Sequence, residues 1–106
     1  MYFVDHLFDI FTVSKERDVD VGVAFDMFRT DVRLGETHEY NTGDALPGFD
    51  FKAASEEWNA LTDEQKVREF DDWHEFMRAH YEDACTAFAE GREACEALAK
   101  RWEAEK

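Results

Sequence analysis

The side chains best suited to metal binding or nucleophilic catalysis in this sequence are four histidines and two cysteines. His74 and His80 lie six residues apart, whereas two zinc ligands on one helical face need a spacing of four. Asp71 and His74 have a spacing that suits a shared metal, but no second pair of this kind accompanies them. His6 and His38 have no sequence context that makes them metal ligands. The sequence therefore predicts no metal site, and we expect His74 to be a hydrogen-bonded core residue.

Cys85 and Cys95 are the only candidates for a thiol nucleophile, and neither has the electropositive neighbourhood that activates a thiol. Gly-rich phosphate loops, nucleophile elbows and CxxC motifs are absent from the sequence. If both cysteines lie in one helix, their ten-residue separation corresponds to about 15 Å, which is too far for a disulfide. We therefore predict a non-enzymatic protein with no catalytic residues and no cofactor, whose cysteines stay reduced.

Carboxylates at heptad spacing form the most regular chemical pattern, provided that residues after 62 form one long helix. We call the following set the acidic stripe: Glu75, Glu82, Glu96 and Glu103 in one row, Asp83 and Glu90 in the next, and Asp71 and Asp72 before them. Carboxylates one heptad apart are separated by about 10.5 Å along the helix axis. Carboxylates that alternate between the two rows are closer together, and their separation approaches the spacing of phosphates along a nucleic-acid strand. The stripe predicts a surface that imitates a nucleic-acid backbone. The alternative is an ordinary solvated helix face, which Arg68, Arg78 and Arg92 neutralise in part.

A second acidic group lies in the stretch 35–50, whose glycines, asparagine and proline predict the main loop. Acidic residues around exposed aromatic side chains can steer and anchor a basic protein surface. The predicted partner contacts in this loop are Glu36, Glu39, Tyr40 and Asp44. The alternative for the aromatic residues at the end of the loop is that they fix it to the core, and we favour this for Phe51.

Hydrophobic periodicity places these groups on a mainly α-helical bundle of about four helices. Residues 2–13 have the pattern of a short amphipathic helix. Residues 21–34 fit a helix with Asp20 as its N-cap, but Val19 to Phe25 also alternate like a strand, so a short β-hairpin near residues 19–34 is the alternative. Asp50 is a suitable N-cap for a helix that carries Trp58, and Thr62 begins a capping box for the long helix.

The long helix carries two apolar rows at heptad spacing, which predict a buried face. One row contains His74, Tyr81, Phe88, Cys95 and Trp102, and the other contains Met77, Ala84, Gly91 and Leu98. Gly91 is the point where this helix is expected to bend or break. The predicted core comprises Phe11, Phe25, Phe28, Trp58, Leu61, Phe70, Trp73, Met77, Tyr81, Phe88 and Leu98.

Length and charge limit the class of protein and of partner. The 106 residues predict one domain, with a helical segment over 1–34, a loop over 35–50 and a second helical segment over 51–105. The net charge of −14 opposes direct binding to DNA, RNA or anionic lipid and favours a basic protein surface. The alternative is that the charge serves solubility alone. The first residues lack a basic region and a cleavage site, so we expect a cytoplasmic protein with no membrane span.

Two resemblances add to these expectations. The stretch Trp58-Asn-Ala-Leu61-Thr-Asp-Glu-Gln-Lys66, followed by Phe70, Tyr81 and Phe88, resembles the second and third helices of an HMG box over residues 58–88. In size, acidity and lack of catalytic motifs the chain is similar to the small acidic inhibitors of phages and mobile elements, the anti-CRISPR proteins and other DNA mimics. This likeness implies inhibition of a CRISPR effector-like complex in a host cytoplasm by occupation of its DNA-binding channel. The alternative is a phage assembly or chaperone-like protein that forms a homodimer through Leu98 and Trp102.

Overall fold

The computed structural model describes residues 2–106, and all of its longer elements are helices. They are α1 (Tyr2–Asp5), α2 (Leu7–Arg17), α3 (Val21–Leu34), a 3₁₀ helix (Gly43–Ala45), α4 (Phe51–Asn59), α5 (Asp63–Glu90) and α6 (Arg92–Glu105). The predicted helical class is confirmed, although residues 2–106 contain six α-helices instead of about four. Across the same residues there is no strand, so the hairpin alternative for residues 19–34 is wrong. None of the helices in this range combines the length and apolar character that a membrane span requires.

Side-chain and glycine caps explain where the helices of the first half begin and end. The Asp20 carboxylate accepts a hydrogen bond from the Val23 amide at 3.0 Å, and Asp50 does the same for Ala53 at 2.9 Å. Such caps satisfy amide groups that have no partner inside the helix. Gly35 adopts a left-handed conformation with φ 73° and ends α3. These caps favour helix α3 over the strand alternation of its first residues.

The chain divides into two compact units, and the first combines the stretch up to Phe8 with Asp63–Lys106. In it α5 and α6 run antiparallel, because the Phe76 ring lies 5.3 Å from the Trp102 ring while Asp72 pairs with Lys106. Helix α1 packs on both of them. The Phe3 and Phe70 ring centroids are 5.5 Å apart. Unit 1 is therefore a helical hairpin covered by the start of the chain.

The second unit is the continuous segment Asp9–Thr62. Its core lies between α3 and α4, which pack side by side. The Phe28 ring is fully buried and lies 5.6 Å from Phe49 and 6.3 Å from Phe51. Gly35 allows close packing here, since an added Cβ would lie 3.2 Å from that of Ser55. The predicted segments 1–34 and 51–105 do not coincide with these units, since the boundaries fall within α2 and between α4 and α5.

Gly91 breaks the predicted long helix into α5 and α6. Its backbone has φ 124° and ψ −176°, a region that only glycine occupies readily. The acidic stripe and the two heptad rows therefore do not continue from α5 into α6 on one face. Cys85 and Cys95 also lie on different helices, so the separation of about 15 Å does not apply, and both thiols are free.

The buried face of α5 is rotated from the one that the heptad rows predicted and shares only Ala84 with it. Trp73, Phe76, Ala84 and Ala87 are buried, whereas His74 is exposed. The expectation that His74 belongs to the core is therefore wrong. Its Nδ1 lies 2.7 Å from the Phe70 carbonyl oxygen on the exposed side of the helix.

The other predicted core residues fall into three groups. Phe11, Phe25, Phe28, Trp58, Trp73 and Leu98 are buried; Leu61, Phe70, Met77 and Phe88 are half-buried; and Tyr81 is 49% exposed. Phe76 is absent from the predicted core although it is fully buried. The error arises because apolar side chains occupy adjacent faces of α5, and spacing alone does not decide between adjacent faces.

We expect Gly91→Ala to lower the free energy of unfolding by about 1–3 kcal/mol, because L-alanine rarely adopts this backbone conformation. An added Cβ would meet no atom within 4 Å, so crowding contributes nothing. Urea denaturation measures the change. The control is D-alanine at position 91, introduced by ligating a synthetic segment at Cys85, since a D-residue accepts a positive φ. An equal loss with both enantiomers would contradict the explanation.

Candidate partner-binding surfaces

Five carboxylates of the acidic stripe are exposed along α5: Asp71, Glu75, Glu82, Asp83 and Glu90. Helix α5 carries nine acidic and three basic residues, whereas α6 carries four and three. The negative charge of unit 1 is therefore concentrated on α5. This helix presents the larger of the two acidic surfaces.

Basic residues and a kink divide the α5 surface. Arg68 lies one heptad before Glu75 and Arg78 lies three residues after it; both are exposed. His80 departs from helical geometry, with φ −129° and ψ 22°, and its Nδ1 lies 3.0 Å from a carboxylate oxygen of Asp83. Beyond Arg78 no lysine or arginine occurs before Arg92. The stretch 79–90 of α5 thus carries acidic side chains and neither lysine nor arginine.

Three members of the predicted stripe lie apart from this surface. Asp72 is buried, with 7% exposure, and its carboxylate pairs with the Lys106 ammonium group. That ammonium group also lies 4.2 Å from the Trp102 ring centroid, a favourable cation–π distance. Glu96 and Glu103 are exposed on α6. Asp72 therefore joins α5 to the end of α6, a role that heptad spacing gave no means of predicting.

The second acidic surface is the loop that follows α3 in unit 2. Glu36, Glu39 and Asp44 are exposed, and Tyr40 is 84% exposed, the highest value among the large apolar residues. A carboxylate oxygen of Glu36 lies 3.8 Å from the His38 imidazole. The loop therefore presents an exposed phenol ring together with three exposed carboxylates. It also contains the 3₁₀ helix Gly43–Ala45, which the sequence did not predict.

A buried carboxylate fixes this loop to α3. Asp31 has no exposed surface, and it accepts hydrogen bonds from the Asn41 amide group at 3.0 Å and from the Thr42 backbone amide at 3.1 Å. The Thr42 hydroxyl also donates to it, and Thr42 is itself fully buried. These three hydrogen-bond donors compensate for the hydration that the Asp31 carboxylate loses when it is buried. Tyr40 immediately precedes this anchor, so the anchor determines where its ring is presented.

A guanidinium group holds the same loop from α2. The Arg17 Nη2 donates to the Glu39 carbonyl oxygen at 3.3 Å. Gly43 leaves room for this contact, because a Cβ at that position would overlap the guanidinium group. At the other end of the loop, Phe49 and Phe51 pack against each other, with centroids 4.6 Å apart. The favoured interpretation of Phe51 as a core contact is confirmed by its burial.

The sequence alone did not identify Asp31, Thr42, Arg17 or Lys106 as positioning residues. Asp31 lies within α3 and its partners follow 10 and 11 residues later, a spacing that belongs to no local motif. Within residues 2–106 no three His, Cys, Asp or Glu side chains are grouped so that they could hold a metal ion. No family model, curated protein or solved structure matches the chain. The α5 surface and the loop surface are therefore the features of this chain that bear on its function.

We expect Asp31→Ala to lower the free energy of unfolding by about 2–4 kcal/mol, because it leaves buried donors of Thr42 without an acceptor. Urea denaturation followed by circular dichroism measures the change. The matched control is Asp26→Ala in the same helix. Asp26 pairs with Arg29 at 2.9 Å on the surface, and such a pair contributes less than about 1 kcal/mol. Similar losses in the two variants would show that the Asp31 anchor has no special role.

Proposed function

We propose that this chain is a non-enzymatic binding protein that occupies the basic, nucleic-acid-binding surface of another protein and thereby inhibits it. A CRISPR effector-like complex with a cationic DNA channel is a partner of the kind proposed. The observation that supports the proposal most directly is the stretch 79–90 of α5, which presents Glu82, Asp83 and Glu90 without any lysine or arginine. A cationic channel attracts such a surface and repels proteins that present positive charge.

The loop surface supports the same proposal through different chemistry. Tyrosine is enriched among the residues that dominate binding energy, because its ring gives a large apolar contact and its hydroxyl a hydrogen bond. Tyr40 has most of its surface available for such a contact. Asp31 and Arg17 fix the backbone around it, which reduces the entropy that binding would cost. Charge then directs the approach of the partner, and Tyr40 contributes affinity.

Self-association is the second function suggested by the sequence, and the burial of α6 makes it the weaker proposal. Leu98 and Trp102 are only 4% and 6% exposed. A homodimer through these side chains would require α6 to leave α5. An acidic surface needs no such rearrangement before it binds a partner, so we prefer the inhibitor.

The experiment that tests the proposal is capture of partners from a lysate of the source cells on the immobilised chain, with identification by mass spectrometry. We expect a nucleic-acid-binding protein that is retained at low salt and released at high salt, because exposed charges are screened as ionic strength rises. Excess duplex DNA should also release it. A partner that resists both salt and DNA, or recovery of this chain alone, would contradict the proposal and favour assembly.

We expect reversal of Glu75, Glu82, Asp83 and Glu90 to lysine to weaken binding of the captured partner by about 100-fold at low salt. These side chains are exposed, so circular dichroism and the thermal midpoint should change little. The control reverses Glu16, Glu56, Glu57 and Glu105, which are exposed elsewhere and change the net charge by the same amount. Equal weakening in both variants would show that overall charge, and not the α5 surface, controls binding.

We expect Tyr40→Ala to weaken the same complex by about tenfold or more, as for an aromatic residue at the centre of an interface. Its stability should be unchanged, because the ring is largely exposed. The comparison is Val23→Ala, which removes exposed apolar side-chain atoms from a site on α3, outside both the loop and the α5 surface. Surface plasmon resonance gives the affinities, and equal effects of the two substitutions would remove the loop from the interface.

A further inference from the structure

A groove of about 310 Å³ runs between α5 and α6 within unit 1. Its lining on α5 consists of Asp83, Thr86, Ala87 and Glu90, and its lining on α6 consists of Ala94, Ala97, Leu98 and Arg101. Four of these side chains are small, and they leave open space between the two helices: Thr86, Ala87, Ala94 and Ala97. This volume is at the lower end of the range for ligand pockets, roughly 300–1,000 Å³. The groove therefore suits a single long side chain better than a cofactor.

The two ends of the groove differ in charge. Because α5 and α6 run antiparallel from Gly91, Glu90 and Ala94 line the end near the turn, whereas Asp83 and Arg101 line the far end. The far end already contains a basic residue, since Arg101 lines the groove there. The Asp83 carboxylate also has a partner, because one of its oxygens lies 3.0 Å from the His80 imidazole. At the near end the lining contains a carboxylate and no basic side chain. A positive group is therefore best accommodated beside Glu90.

Apolar residues line part of the groove between the two ends, next to Thr86. Ala87 and Leu98 are buried, and Ala94 is half-buried beside them. A side chain with a methylene stem and a terminal cation matches a lining of this kind. The arginine guanidinium is planar and less strongly hydrated than an ammonium group, so it loses less when it enters a partly apolar groove. Lysine offers the same charge with a less favourable fit.

We propose that the groove between α5 and α6 is a receptor for an arginine side chain of the basic partner, with its stem on Ala94 and Leu98 and its guanidinium beside Glu90. This inference rests on the proposed function, because it takes the partner surface to be basic. It identifies one contact within that surface. Binding then depends on the shape of the groove as well as on charge.

The test is a titration of the full chain with octa-arginine and, separately, octa-lysine peptides at low salt, followed by methyl NMR and isothermal titration calorimetry. We expect the methyl signals of Ala94, Ala97 and Leu98 to shift with octa-arginine. The affinity for octa-arginine should exceed that for octa-lysine several-fold. Shifts confined to side chains outside the groove, or equal affinity for the two peptides, would overturn the assignment.

Two matched pairs of variants separate shape from charge. Ala94→Leu fills the groove without changing the charge, and Ala89→Leu makes the same change on the exposed side of α5, outside the groove lining. Glu90→Gln removes the proposed carboxylate, and Glu93→Gln removes one that does not line the groove. We expect Ala94→Leu and Glu90→Gln each to weaken octa-arginine binding about tenfold, as for loss of a charged contact, and their controls to have little effect.

The outcomes distinguish this inference from the proposed function. If Glu90→Gln and Glu93→Gln weaken binding equally and Ala94→Leu has no effect, the groove is not the receptor, although an acidic chain that binds basic partners is retained. The proposed function is judged separately, by the sensitivity of the captured partner to salt and to duplex DNA. If Ala94→Leu alone alters the circular dichroism spectrum, the Glu90 and Glu93 pair decides the result.

Discussion

The backbone conformation of Gly91 is the constraint on which unit 1 depends. A positive φ with an extended ψ ends α5, and it lets α6 return along α5 so that Phe76 meets Trp102 and Asp72 meets Lys106. The same reversal exposes Asp83 and Glu90 beside the alanines of α6. A continuous helix would have placed Glu75 to Glu103 on one long face and would have left no groove.

Local signals in the sequence were sufficient to predict the helical class and several helix ends. Asp20, Asp50 and Gly35 act through neighbours within five residues, so their roles can be predicted from short patterns. The choice of buried face on α5 was not predictable in this way, because it depends on which apolar side chains meet α6 and α1. Phe76 shows this most clearly, since its burial depends on Trp102, which is 26 residues away.

The candidate surfaces were predictable in composition but not in detail. Exposed acids and the exposed ring of Tyr40 follow from charge and from the loop signals, and the structure places them on the surface. Asp72 and Asp31 are also acidic, yet both are buried and hold elements together. In a sequence of net charge −14, a carboxylate is therefore either an exposed surface group or a buried contact between elements, and sequence spacing alone does not distinguish the two.

Unit 1 is assembled from two distant stretches of the chain, and this has a consequence for the order of folding. The amide of Tyr2 donates to Glu69, 67 residues further on, whereas unit 2 is one uninterrupted segment. During synthesis all of unit 2 precedes α5 and α6. Helix α1 therefore has no packing partner in unit 1 until the whole of Asp9–Thr62 has been made. Once Asp9–Thr62 is compact, the flexible loop that must close between α1 and α5 is much shorter, and the entropic cost of closing it falls. Folding of the inserted segment first would therefore favour the docking of α1 on α5.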